Sequence, residues 1–155
     1  MNRRVQRVAQ FVILFLGLSA SAMAQASRQG VAKPLSQVKF EQDGDVKCLT
    51  SATENGDPTA GASTFILKAT PKCAVPWHYH TAEEQLIVVR GSVLTEMDGM
   101  SPTTLGPGGF AMMPSKAKHQ FSCESKSGCT LFVTFDRTYD IVWVKTSQSS
   151  KNREK

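Results

Sequence analysis

The chain has 155 residues, 41% of them hydrophobic, with 18 Lys+Arg against 13 Asp+Glu, a formal charge of +5, and four cysteines. A chain of this length builds one hydrophobic core, which excludes an array of domains. The excess positive charge sits at the ends: residues 25–144 carry 11 basic against 12 acidic side chains, so the body offers no nucleic-acid-binding face.

Taken in chain order, residues 1–24 read as a secretory signal. Arg3, Arg4 and Arg7 form a basic start, the run from Phe11 to Leu18 is apolar apart from Gly17, and Ala22-Met23-Ala24 gives a small-x-small cleavage site before Gln25. The apolar run is shorter than the ~20 residues a membrane span needs. No cysteine precedes Cys48, which excludes lipid attachment at a mature amino-terminal cysteine. Gln6 and Arg7 stand where a twin-arginine signal carries apolar residues, so general secretion is the expected route. The mature protein is then expected in the periplasm or outside the cell, without stable membrane insertion. Cleavage leaves 131 residues: one domain over 25–145, then a basic, disordered tail over 146–155.

No long amphipathic helix is visible after residue 25. Short β-rich runs predict strands over 38–42, 46–51, 63–70, 85–89, 92–97, 110–113, 119–122, 129–135 and 141–144. Turns are expected at Asn55-Gly56-Asp57-Pro58, Asp98-Gly99 and Gly106-Pro107-Gly108-Gly109. This pattern is that of an all-β sandwich or barrel. Leu86-Ile87-Val88-Val89 is apolar on both faces, which predicts cover on both sides by a second layer or another subunit. From Cys129 to Phe135 the odd positions are apolar, so Leu131, Val133 and Phe135 should face the interior. If residues 125–128 turn the chain so that Cys123 opposes Cys129, then His119 opposes Val133 and points inward.

All four cysteines survive cleavage, and an even count in an exported chain predicts two disulfides. Sequence does not separate the three connectivities; the short loop between Cys123 and Cys129 favours that pair, leaving Cys48 with Cys73.

The stretch Trp77-His78-Tyr79-His80-Thr81-Ala82-Glu83-Glu84-Gln85 holds two of the chain's three histidines. In extended backbone His78 and His80 share a face, and Glu84 can return to it after a bend. Two imidazoles and a carboxylate leave coordination positions open for chemistry at a metal. The plainer alternative is a pair of solvated histidines at a strand end. Trp77 and Tyr79 should face outward.

The spacing His78-x-His80, three residues, Glu84, six residues, Gly91 resembles the first motif of the cupin superfamily. Gly108, five residues, Pro114, four residues, His119 resembles the second. The chain departs from the family pattern at Lys116, where glycine is usual, and at Cys123, where asparagine is usual. The resemblance implies a double-stranded β-helix, the cupin jelly-roll barrel, with its core over 63–136. It implies that His78, His80, Glu84 and His119 hold one divalent transition metal: iron, manganese, nickel, copper, zinc or cobalt. Glu84 fits the spacing and would also be the catalytic base, whereas Glu83 points to the other face of a regular strand.

Leu86, Val88 and Phe121 share faces with the ligands and would line a substrate pocket. Met112 and Met113 offer gap-filling bulk, pocket lining or thioether ligands. The implied function is a metal-dependent enzyme acting on an oxygen-rich small molecule. It would be dioxygenase-like, as in quercetinase-like cupins, or an isomerase or decarboxylase. The alternative is a cupin that captures a small molecule or metal without turnover. A homodimer is expected from the two-sided apolar strand and from the family.

Overall fold

The computed structural model describes residues 30–144. The signal and the basic tail lie outside them. The strands are β1 (Glu41–Gln42), β2 (Leu49–Gly56), β3 (Ser63–Ala69), β4 (Ala74–Tyr79), β5 (Glu84–Arg90), β6 (Val93–Met97), β7 (Thr103–Leu105), β8 (Phe110–Met113), β9 (His119–Cys123), β10 (Cys129–Phe135) and β11 (Val142–Trp143). They form two antiparallel sheets, β1-β2-β3-β10-β5-β8 and β11-β4-β9-β6-β7. The fold is all-β, a jelly roll, with the core between the sheets.

Period-two patterning sets the facing. In β10, Leu131 and Val133 are buried while Phe132 between them faces out, and in β5 Leu86 and Val88 are buried while Ile87 and Val89 face out. Among the described residues no second layer covers the outer face of β5, contrary to one of the two expectations for it: Ile87 is 42% and Val89 51% exposed.

The expected pairing of the two cysteine-bearing strands is corrected. β9 pairs with β4 and β6, while β10 pairs with β3 and β5 in the other sheet. The 125–128 connection therefore crosses between sheets instead of making a hairpin. His119 still faces the interior, opposite His78 on β4 and Met97 on β6 rather than Val133.

Other local expectations also shift. Residues 35–37 form a 3-10 turn, and only Glu41–Gln42 of the expected first strand pair with a neighbour. β2 continues through Asn55 and Gly56, past a bulge, and turns only at Asp57. β4 and β7 have no counterpart among the predicted strands. Pro76 interrupts the first, a residue that a regular central strand does not carry.

Both disulfides join one sheet to the other. Cys123 on β9 bonds Cys129 on β10, and Cys48, just before β2, bonds Cys73, just before β4. The two bridges lie side by side, since the Cys123 amide donates to the Cys73 carbonyl at 2.8 Å. Gly91 serves this end of the barrel: its φ is +88°, and a Cβ there would lie 2.7 Å from the Gly128 carbonyl oxygen and 2.9 Å from Cys129 Sγ. The opposite end, four residues or about 13 Å along β9, carries His119.

Candidate metal centre

β4 brings His78 inward through an irregularity. A bulge between Val75 and His78 places both inward three residues apart, with Pro76 and Trp77 taking up the extra residue on the outer side. Pro76 is tolerated there because a bulge frees it from the ladder. His80 lies just past the strand and Glu84 opens β5, so a tight connection returns the carboxylate beside the imidazoles.

That connection is held from three sides. The Thr81 amide donates to Asp140 Oδ1 at 2.7 Å and the Glu83 amide to Asp136 Oδ1 at 2.9 Å. Ser115 Oγ donates to the Thr81 carbonyl at 2.6 Å, and the Lys116 amide to the His80 carbonyl at 2.8 Å. Lys116 takes φ +65°, the left-handed conformation that glycine adopts most easily. The position where the motif has glycine thus keeps the glycine backbone with a lysine.

His78, His80, Glu84 and His119 are all buried, and one ligand atom from each falls within 4.8 Å of the others. Every imidazole is oriented by a backbone carbonyl. His78 Nδ1 donates to Pro76 O at 2.6 Å, His119 Nδ1 to Ala117 O at 2.9 Å, and His80 Nδ1 to Asp140 O. Carbonyl oxygens only accept, so each Nδ1 carries the proton and each Nε2 presents a lone pair to the centre. Glu84 Oε2 lies 3.1 Å from His119 Nε2 and 3.2 Å from His80 Nε2. Both Glu84 Oε2 and His119 Nε2 are buried without a hydrogen-bond partner. Lone pairs converging without protons between them are costly in a low-dielectric interior unless a cation joins them. The four residues fit a metal ion.

Electrostatics keep the set ready. Burial, then the neighbouring His119, lowers the pKa of His78 to about 4, so it stays neutral. Burial alone would raise Glu84, but the imidazoles of His119 and His80 outweigh it and hold the carboxyl down to about 2. For His80, burial is outweighed by the Glu84 carboxylate, and its pKa rises.

A cavity of about 120 Å³ opens above this floor. Phe121 lines it; Leu86 and Val88, expected beside it, are not among its lining residues and lie in the core beside β10. Glu83 turns away, accepting from Gln85 Nε2 at 2.8 Å. Met113 is core and Met112 faces out, and neither joins the four ligands. Trp77 and Tyr79 sit on the outer side of β4, half-buried.

Most of the lining was not legible beforehand. Phe65 and Phe135 come from neighbouring strands, while Asp43, Tyr139, Ile141 and Trp143 come from segments that close the mouth. Trp143 Nε1 donates to Asp45 Oδ2 at 3.2 Å, tying those two segments together. Tyr139 packs 5.4 Å from the His80 ring, and burial pushes its hydroxyl up to about 12. No local pattern around Asp43 or Tyr139 signals this; both lie in loops whose placement is tertiary.

Residues 65–135 match the family model described as "Cupin domain". None of the curated proteins compared matches the chain. Among solved structures, an RmlC-like cupin from Shewanella frigidimarina is similar at 18% identity, over 70% of this chain and 91% of that one, with a TM-score of 0.59. The polyketide cyclase RemF from Streptomyces resistomycificus is similar at 21% identity, over 77% and 89%, with a TM-score of 0.64. A sugar phosphate isomerase of the cupin superfamily from Silicibacter pomeroyi is similar at 17% identity, over 74% and 82%, also at 0.64.

Proposed function

From the cupin superfamily, which the domain match and the structural neighbours support, we propose that this protein is an exported metal-dependent enzyme acting on a small molecule through that molecule's oxygen atoms. The observation that carries the reading is the buried carboxylate of Glu84, facing three carbonyl-oriented imidazoles with no hydrogen-bond partner for Oε2, at the floor of an open cavity. Similar folds belong to a cyclase and a sugar phosphate isomerase, which supports turnover over simple capture.

His78, His80, His119 and Glu84 would hold the ion. Their donor set suits iron, manganese, nickel, copper, zinc or cobalt. When bound, the ion supplies Lewis-acid polarisation of a carbonyl, hydroxyl or carboxylate oxygen. The chain supplies the rest. Glu84, ionised at neutral pH, is the acceptor for a proton leaving the ligand. Tyr139 keeps its proton and can donate a hydrogen bond near the mouth. Phe65, Phe135 and Ile141 present apolar walls that limit water around the reacting atoms. Proton transfer of this kind serves isomerase or decarboxylase chemistry; with a redox-active ion the same site serves a dioxygenase.

The two disulfides fit an oxidising compartment. They support export to the periplasm or beyond; cleavage after Ala24 rests on the Ala22-Met23-Ala24 site alone. The test is elemental analysis of untagged protein from the exported fraction, beside its His119→Ala variant. About one equivalent of a transition metal that falls sharply in the variant is expected. The wild type should also gain stability with metal, by the ~2.7 kcal/mol that a hundredfold excess over Kd confers, and melt higher accordingly. No metal in either protein, and none taken up on titration, would overturn the reading. Turnover compared in air and under argon then separates dioxygenase from isomerase or decarboxylase chemistry, and a metal-loaded protein inert in both is a binding module.

A further inference from the structure

Among the described residues, the lining of the cavity contains acids, imidazoles, one serine, aromatic rings and apolar side chains, but no lysine or arginine. Phe65, Phe135 and Tyr139 form one wall, with ring centroids 5.7 Å (Phe65 to Phe135), 5.8 Å (Phe65 to Tyr139) and 4.9 Å (Phe135 to Tyr139) apart. Trp143 lies against His78 at 5.4 Å. Asp43 lines the mouth, and its Oδ1 accepts from the amides of Asp45 and Val46 at 2.9 and 2.7 Å, which fixes the carboxylate there.

Asp43 and Glu84 are acids of the lining, and Asp45 and Asp140 lie beside it, accepting from Trp143 Nε1 and the Thr81 amide. Lys47 is exposed on the loop of Asp43 and Asp45, its Nζ donating to the Gly44 carbonyl at 2.7 Å, and is not among the lining residues. A divalent ion on His78, His80, Glu84 and His119 would reverse the sign at the floor only. The loaded cavity would then be dipolar, positive below and negative above, over a space of about 120 Å³. An apolar cavity of ~150 Å³ takes one benzene, so this one encloses about four to six non-hydrogen atoms of a ligand and leaves the rest of a larger one at the open mouth.

We propose that the site selects a small ligand that brings an oxygen donor to the floor and a methylated onium group, quaternary ammonium or sulfonium, to the aromatic and acidic mouth. This deepens the metal-site reading above and rests on it. A methylated onium carries positive charge without hydrogen-bond donors, so it can enter an aromatic enclosure at small desolvation cost and gain from the ring quadrupoles and the carboxylates together. A second carboxylate on the ligand would instead meet the like charge of Asp43 at the mouth. A neutral isostere would fill the space without the electrostatic gain.

The test is titration calorimetry on the metal-loaded protein with three probes: glycine betaine, its uncharged-tail isostere 3,3-dimethylbutyrate, and succinate. Betaine is expected to bind at least about tenfold more tightly than the isostere, with succinate weakest. Asp43→Asn keeps an oxygen for the two amides while removing the charge, and Tyr139→Leu removes the ring. Each should shrink the betaine preference to within about threefold at unchanged metal content. Should either variant fold poorly, the other carries the comparison. Equal affinity for betaine and its isostere, or no binding of any probe by protein that retains its metal, would overturn the proposal and leave the metal site standing. A protein that takes up no metal would overturn both.

Discussion

Each imidazole of the centre is aimed by a carbonyl, and two of those carbonyls belong to residues two positions earlier, Pro76 for His78 and Ala117 for His119. Such short local bonds hold the rings without a carboxylate partner, whereas His80 depends on Asp140, sixty residues away. The same residues make the metal-free protein acid-sensitive. The pKa of His78 falls from 6.5 to about 4 on folding, so the unfolded chain takes up this proton first, and stability is lost as pH drops through that window. Glu84, lowered from 4.5 to about 2, continues the loss below pH 4.5. His80, raised, contributes stability that is complete below pH 6.5 and fades above it, so it does not oppose the acid limb. Calorimetry of the chelated protein should therefore show Tm falling from pH 6.5 to pH 4, and His78→Gln should flatten that limb. A flat profile in the wild type would contradict the assignment.

At the scale of elements, the barrel has a disulfide-bearing end and an end that carries the ligand cluster. Both disulfides and Gly91 sit at the first, away from the ligand cluster. The bridges span sequence separations of 25 and 6, so loop-closure entropy ranks them. Removing Cys48–Cys73 by a double Ser substitution should cost about 3.5 kcal/mol, and removing Cys123–Cys129 about 2.4 kcal/mol. Denaturant unfolding checks the order. Metal content should survive either change in protein that remains folded, since neither bridge touches the ligands. A reversed order would show that native packing, rather than chain entropy, sets their worth.

On the whole molecule, the outer face of the larger sheet carries an apolar row. Ile66, Phe132, Ile87 and Phe110 lie side by side across β3, β10, β5 and β8, and Phe132, Ile87 and Phe110 are 39%, 42% and 55% exposed. Such a contiguous row is more than scattered surface apolarity. It supports the expected homodimer, with the sheet face as the buried surface. Light scattering on the eluted protein is expected to give twice the monomer mass, and Ile87→Lys combined with Phe110→Glu to give the monomer with its metal content intact. A wild-type monomer at high micromolar concentration would remove the inference.

The sequence by itself determined the all-β class, most strand positions and the four residues of the centre, because period-two patterning and motif spacing are local properties that survive without tertiary context. It placed His119 inward through the wrong neighbour: β9 and β10 are in different sheets, and a six-residue separation cannot distinguish a hairpin from a crossing between layers. The strand bearing His78 was obscured by Pro76, which only a bulge makes acceptable. The cavity wall was decided by tertiary structure alone. Asp43, Tyr139 and Trp143 are brought over the ligands by contacts such as Thr81 to Asp140 and Trp143 to Asp45, which span 59 and 98 residues. Contacts at that range leave no periodic trace in a single chain, so the sequence could point to the four residues that fit a metal ion but not to the shape of the space above them.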